Sequence, residues 1–72
     1  MKLYVKIYFS PDGVSPLEII RILKESGFMS VFGQFDFVKE FDSEQEYNDT
    51  VTKLYLSLKG TGVIFRINTK IE

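Results

Sequence analysis

The sequence predicts an α+β fold in the order strand, helix, strand, strand, helix, strand. Three observations carry that expectation. The N-terminal residues alternate apolar and polar with period two. Two later segments repeat apolar residues at helical spacing, each behind a capping box. Three further apolar runs, set off by glycine-bearing turns, supply the remaining strands.

The first strand is Lys2-Leu3-Tyr4-Val5-Lys6-Ile7-Tyr8-Phe9. It places Leu3, Val5, Ile7 and Phe9 on one face and Lys2, Tyr4, Lys6 and Tyr8 on the other. Pro11-Asp12-Gly13 is turn chemistry and ends it. A helix is expected over residues 15–26. Ser15 caps it, Pro16 suits the first helical position and Glu18 completes the box. Ile19, Ile20, Ile22 and Leu23 form its apolar stripe, and Gly27 stops it with Phe28 folding back on the last turn. A short second strand runs from Met29 to Phe32. Gly33-Gln34 suits a two-residue hairpin turn, and Phe35 to Phe41 is the third strand. The second helix spans 43–59, opened by Ser43 and Glu46, with Tyr47, Val51, Leu54, Tyr55 and Leu58 recurring along it; Gly60 or Gly62 ends it. Val63 to Ile71 closes the chain as a strand. Two helices on one face of a four-stranded antiparallel sheet satisfy this order, which is the ferredoxin-like arrangement of a single domain over residues 1–72.

Composition narrows the chemistry. A domain of 72 residues buries only about 60% of its unfolded surface, so its core is small. With no cysteine, neither disulfides nor thiolate metal sites reinforce it, and self-association is the remaining device. The absence of histidine removes the commonest general base and metal ligand. The Ser10–Val14 loop carries no arginine to cradle a phosphate, and Asp36 and Glu40 are two carboxylates without a cleft. No enzyme activity, metal or cofactor is expected. A net charge of −1 argues against a free-standing nucleic-acid binder. Lys6 interrupts an N-terminal apolar run already too short for a signal peptide or membrane span, so a cytoplasmic protein without membrane association is expected.

The face away from the helices decides most of the functional reading. Tyr4, Lys6 and Tyr8 lie there, joined from the last strand by Ile64, Arg66, Asn68 and Lys70. The third strand faces Phe35, Phe37 and Phe41 inward and Asp36, Val38 and Glu40 outward. The reverse would bury two carboxylates at several kcal/mol. The open face thus mixes Tyr4, Tyr8, Val38 and Ile64 with Lys6, Arg66, Asp36 and Glu40. Such a surface suits pairing with a second copy across a two-fold axis, and a homodimer or higher oligomer is expected.

Gly33-Gln34-Phe35-Asp36-Phe37-Val38 resembles the glycine, aromatic, aspartate and hydrophobic-strand signature of the Lrp/AsnC ligand-binding domain, also called the RAM domain. Asp42-Ser43-Glu44 and Gly62-Val63 follow at close to that family's spacing. The resemblance implies dimers formed by sheet faces and an amino-acid-like effector near the glycine-aspartate turn. It makes Gly33, Phe35 and Asp36 the effector-binding candidates, in a stand-alone domain without its own DNA-binding part. A full-length regulator is the partner it implies besides a second copy. A second resemblance is to the RNA-recognition motif. Leu3-Tyr4-Val5 is similar to its first-strand motif and Phe35-Asp36-Phe37-Val38 to its third-strand motif. That resemblance implies single-stranded RNA on the open face. It departs at Asp36, where that motif has a small residue, and at Glu40, where it has an aromatic.

Overall fold

Alternation, capping and turn chemistry produce the expected elements in the computed structural model, which describes residues 1–71. They are β1 (Lys2–Tyr8), α1 (Pro16–Glu25), β2 (Met29–Ser30), β3 (Phe37–Glu40), α2 (Glu44–Leu58) and β4 (Ile64–Lys70). The strands form one antiparallel sheet in the order β2-β3-β1-β4, which is the ferredoxin-like topology.

The period-two pattern of β1 buries Leu3, Val5 and Ile7. Against them pack Ile19 and Leu23 of α1, Leu54 and Leu58 of α2, Phe37 and Phe41 of the third-strand segment, and Phe28. Burying each of these large side chains fully contributes about 1.5–3 kcal/mol. Phe9 was expected inward but is half-exposed. Its neighbours explain the difference: β4 starts opposite Tyr8 and the third strand has already ended, so no strand remains beside Phe9 to hold it against the core. Ile71, also expected on the inner face, lies exposed beyond the last paired residue of β4.

Local signals fix the helix ends. Ser15 Oγ accepts from the Glu18 amide at 3.4 Å and Ser43 Oγ from the Glu46 amide at 3.2 Å. The Glu46 carboxylate reaches back to the Asp42 amide at 3.4 Å, one residue earlier than in the usual box. Glu18 instead pairs with Arg21, which also holds Glu25 at 2.8 Å. At the end of α1 the Gly27 amide donates to Lys24 O (3.1 Å) and the Phe28 amide to Leu23 O (3.0 Å), a full Schellman closure. Lys39 Nζ crosses from β3 to Ser26 O at 3.2 Å and takes a further carbonyl of that terminus. After α2, Thr61 turns the chain with its hydroxyl on Leu58 O at 2.6 Å. There the two glycine-bearing loops touch: a Cβ on Gly13 would lie 2.5 Å from Thr61 O, and the Val14 amide donates to that same oxygen at 2.8 Å.

The β2–β3 connection differs from the expected two-residue turn. The Val31 amide donates to Asp36 O at 3.0 Å, which closes a four-residue loop, Phe32-Gly33-Gln34-Phe35. The third strand also carries a bulge. Phe37 faces Val5, yet the Asp36 amide donates to Val5 O at 2.9 Å, so two residues of this strand meet one of β1. The bulge breaks the alternation that placed Phe35 and Phe37 on one face. Phe37 is buried, and Phe35 turns to the open side.

Candidate functional site on the open sheet face

Strand register assembles the open face. Tyr4 stands opposite Val38 and Asn68, Lys6 opposite Arg66, and Tyr8 opposite Ile64. All six residues expected on the self-association face, Tyr4, Lys6, Tyr8, Val38, Ile64 and Arg66, therefore share one side of the sheet. Ile64 is 68% exposed and Tyr8 45% exposed, so apolar surface is left without cover.

Of the three effector-binding candidates, the fold brings Gly33 and Phe35 to this face and gives Asp36 a different task. Phe35 lies against Tyr4 with ring centroids 5.6 Å apart and planes tilted by 43°. Gly33 has φ +113°, a conformation that glycine adopts without strain, and the space where a Cβ would project is open. The Asp36 carboxylate accepts from the Ile7 amide at 2.9 Å and lies 3.8 Å from Lys6 Nζ. It occupies the place where a further residue of the third strand would have offered a carbonyl. This aspartate ends the ladder and holds the bulge.

A cleft of about 540 Å³ opens between these groups. Its walls are Gly33, Gln34 and Phe35 of the hairpin loop, Lys6 and Tyr8 of β1, and Arg66, Ile67 and Asn68 of β4. Two cations, two side-chain amides and a phenol thus converge beside an aromatic ring. Gln34, read from sequence only as a turn residue, joins the cleft because the loop is longer than two residues. A hollow of similar size, about 590 Å³, lies between Tyr55, Leu58, Lys59 and Phe65; its lining is mostly apolar and carries few groups to orient a ligand.

The charge distribution is uneven in a way the net value conceals. Lys2, Lys6, Arg66 and Lys70 belong to the open face by register, against Asp36 and Glu40. In the helices, Glu18 and Glu25 of α1 are balanced by Arg21 and Lys24, whereas Glu44, Glu46 and Asp49 of α2 outnumber Lys53. Lys70 Nζ sits 5.3 Å from the centre of the Tyr4 ring, a cation–π contact that ties the basic character to the aromatic pair. Among the described residues no helix is long and apolar enough to cross a membrane.

Comparison of the chain with protein-family models, curated proteins and solved structures finds no match.

Proposed function

We propose that this chain is a non-catalytic binding and assembly domain whose open-face cleft takes a small carboxylate-bearing molecule of the amino-acid class. The observation that carries the reading is the convergence of Lys6 and Arg66 with Gln34, Asn68 and Phe35 around one cleft. Paired cations suit a carboxylate, and Arg66 brings the planar fork that binds it through two hydrogen bonds. Side-chain amides add both donors and acceptors, and Phe35 offers an apolar wall. The Lrp/AsnC resemblance of the Gly33–Val38 segment supports the same class of ligand.

An open groove covers less of a small molecule than the 70–90% typical of tight sites. A second copy laid over the face would complete the enclosure, with Tyr8, Val38 and Ile64 as its apolar contacts. A full-length regulator bearing a similar sheet face is a hetero-partner of the same geometry. Calorimetric titration of the protein with the standard amino acids tests the reading. Binding of one or a few is expected, weakened at least tenfold by Arg66→Ala. Absence of binding across the set, with the oligomer intact, would overturn the ligand assignment.

One observation favours a second reading. The Tyr4–Phe35 pair beneath Lys70, on a face with more cations than carboxylates, offers a stacking platform for single-stranded RNA. Fluorescence anisotropy with labelled RNA at near-physiological salt separates the two: on this reading binding is lost in Tyr4→Ala, whereas on the small-ligand reading the RNA does not bind.

A further inference from the structure

The two edges of the sheet are built differently. The β2 edge is two residues long, too short to template another strand. The β4 edge is seven residues long, Ile64-Phe65-Arg66-Ile67-Asn68-Thr69-Lys70, and contains no proline. Its backbone polarity follows from β1. Met1 O, Val5 O and the Ile7 amide all face the third-strand side. The even-numbered residues of β1 therefore bond to β4, and pair there with Ile64, Arg66, Asn68 and Lys70. The amides and carbonyls of Phe65, Ile67 and Thr69 point away from the sheet.

We propose that this edge pairs with β4 of a second copy, antiparallel about a two-fold axis at Ile67, to give a continuous eight-stranded sheet. The occupant is argued from self-complementarity. With Ile67 opposite itself, Phe65 faces Thr69, Arg66 faces Asn68 and Ile64 faces Lys70. No like charges meet, and all seven residues are paired. Moving the axis to Arg66 sets that guanidinium against its own copy; moving it to Asn68 sets Arg66 against Lys70. Both neighbouring registers are disfavoured by like charges directly opposite each other. In the favoured register the outward groups of Phe65, Ile67 and Thr69 bond to one another, so the pairing also satisfies the free backbone groups of the edge. This contact uses the rim of the sheet rather than its face, so both contacts can coexist in one assembly, and it shares Arg66, Ile67 and Asn68 with the walls of the cleft.

Amide hydrogen exchange followed by NMR, over a concentration series, tests the pairing residue by residue. Protection of Phe65, Ile67 and Thr69 is expected to rise with concentration, while Arg66 and Asn68 stay protected throughout by β1. Asn68→Arg places two like-charged pairs across the axis and is expected to weaken the dimer about 2- to 30-fold. Asn68→Asp sets a carboxylate against Arg66 and is expected to tighten it. Ile64→Asp, which sets a carboxylate against Lys70 of the second copy, is also expected to tighten it, although the same substitution opposes face-to-face pairing. A dimer in which those three amides exchange at the unprotected rate would overturn the edge pairing and leave the face contact standing. A monomer at every concentration would overturn it too, and so would a shift in the same direction for both Asn68 variants.

Discussion

Asp36 serves the backbone twice, through an amide that donates to Val5 and a carboxylate that accepts from Ile7. Asp36→Ala leaves the Ile7 amide without a partner at the edge of the core, and a loss of about 1–3 kcal/mol is expected in urea unfolding. Asp36→Asn keeps an acceptor oxygen and should recover part of that loss. Faster exchange of the Ile7 amide in the alanine variant would identify the cause. At Gly13 the argument is steric, since its Cβ position lies 2.5 Å from Thr61 O. Gly13→Ala has to push two loops apart and is expected to cost about 1–3 kcal/mol by the same measurement. On the α1 surface, the bond from Arg21 holds the Glu18 carboxyl below its ordinary value of 4.5. A lowered carboxyl stabilises the folded state above that ordinary value and loses the contribution as pH falls through the lowered one. The stability of Glu18→Gln should therefore vary less with pH below about 4.5; the pair is exposed, so the effect is small.

Elements whose signals are local were legible in the sequence. Both helices begin and end within one residue of where serine caps and the Gly27 closure put them, because a cap acts on backbone groups a few residues away. The inward face of β1 was legible through Ile7 for a similar reason. The third strand was legible from Phe37 to Phe41 but not at Phe35, because the alternation is interrupted by a bulge that forms only when Asp36 finds both Val5 and Ile7 of β1. The visible trace of that event was an aspartate within a strand, where such residues are depleted. The bulge separates two phenylalanines that look equivalent in sequence. Phe37→Ala is expected to cost about 3–5 kcal/mol as a core truncation, and Phe35→Ala less than about 1 kcal/mol, with its effect appearing in ligand binding instead. Chemical denaturation of the two variants side by side checks this. Equal losses would mean that both rings belong to the core.

At the scale of the whole molecule, a chain of nearly balanced charge folds into a body with a basic, aromatic sheet face and an acidic second helix. The composition could not reveal that asymmetry, because the register of β4 on β1 is what gathers Lys2, Lys6, Arg66 and Lys70. The cleft was legible only in part. Gly33 and Phe35 were expected near a ligand, whereas Gln34 and Asn68 join them through a loop length and a strand pairing that no short motif encodes. Face-to-face assembly carries its own expectation. If the face pairs as proposed, Ile64→Asp is expected to break that contact and lower the melting temperature, since folding and assembly would be linked, leaving the edge-paired dimer as the largest species, while Lys24→Asp on the exposed side of α1 should do neither. Analytical ultracentrifugation and thermal melts of the two variants check this. The central claim, that the open-face cleft is the functional site, is tested most directly by titrating ¹⁵N-labelled protein with amino acids and following every backbone amide. Shifts concentrated at Lys6, Tyr8, Gly33, Gln34, Arg66 and Asn68 are the expected result. Shifts confined to the helices, or none at any amide with any amino acid, would contradict it.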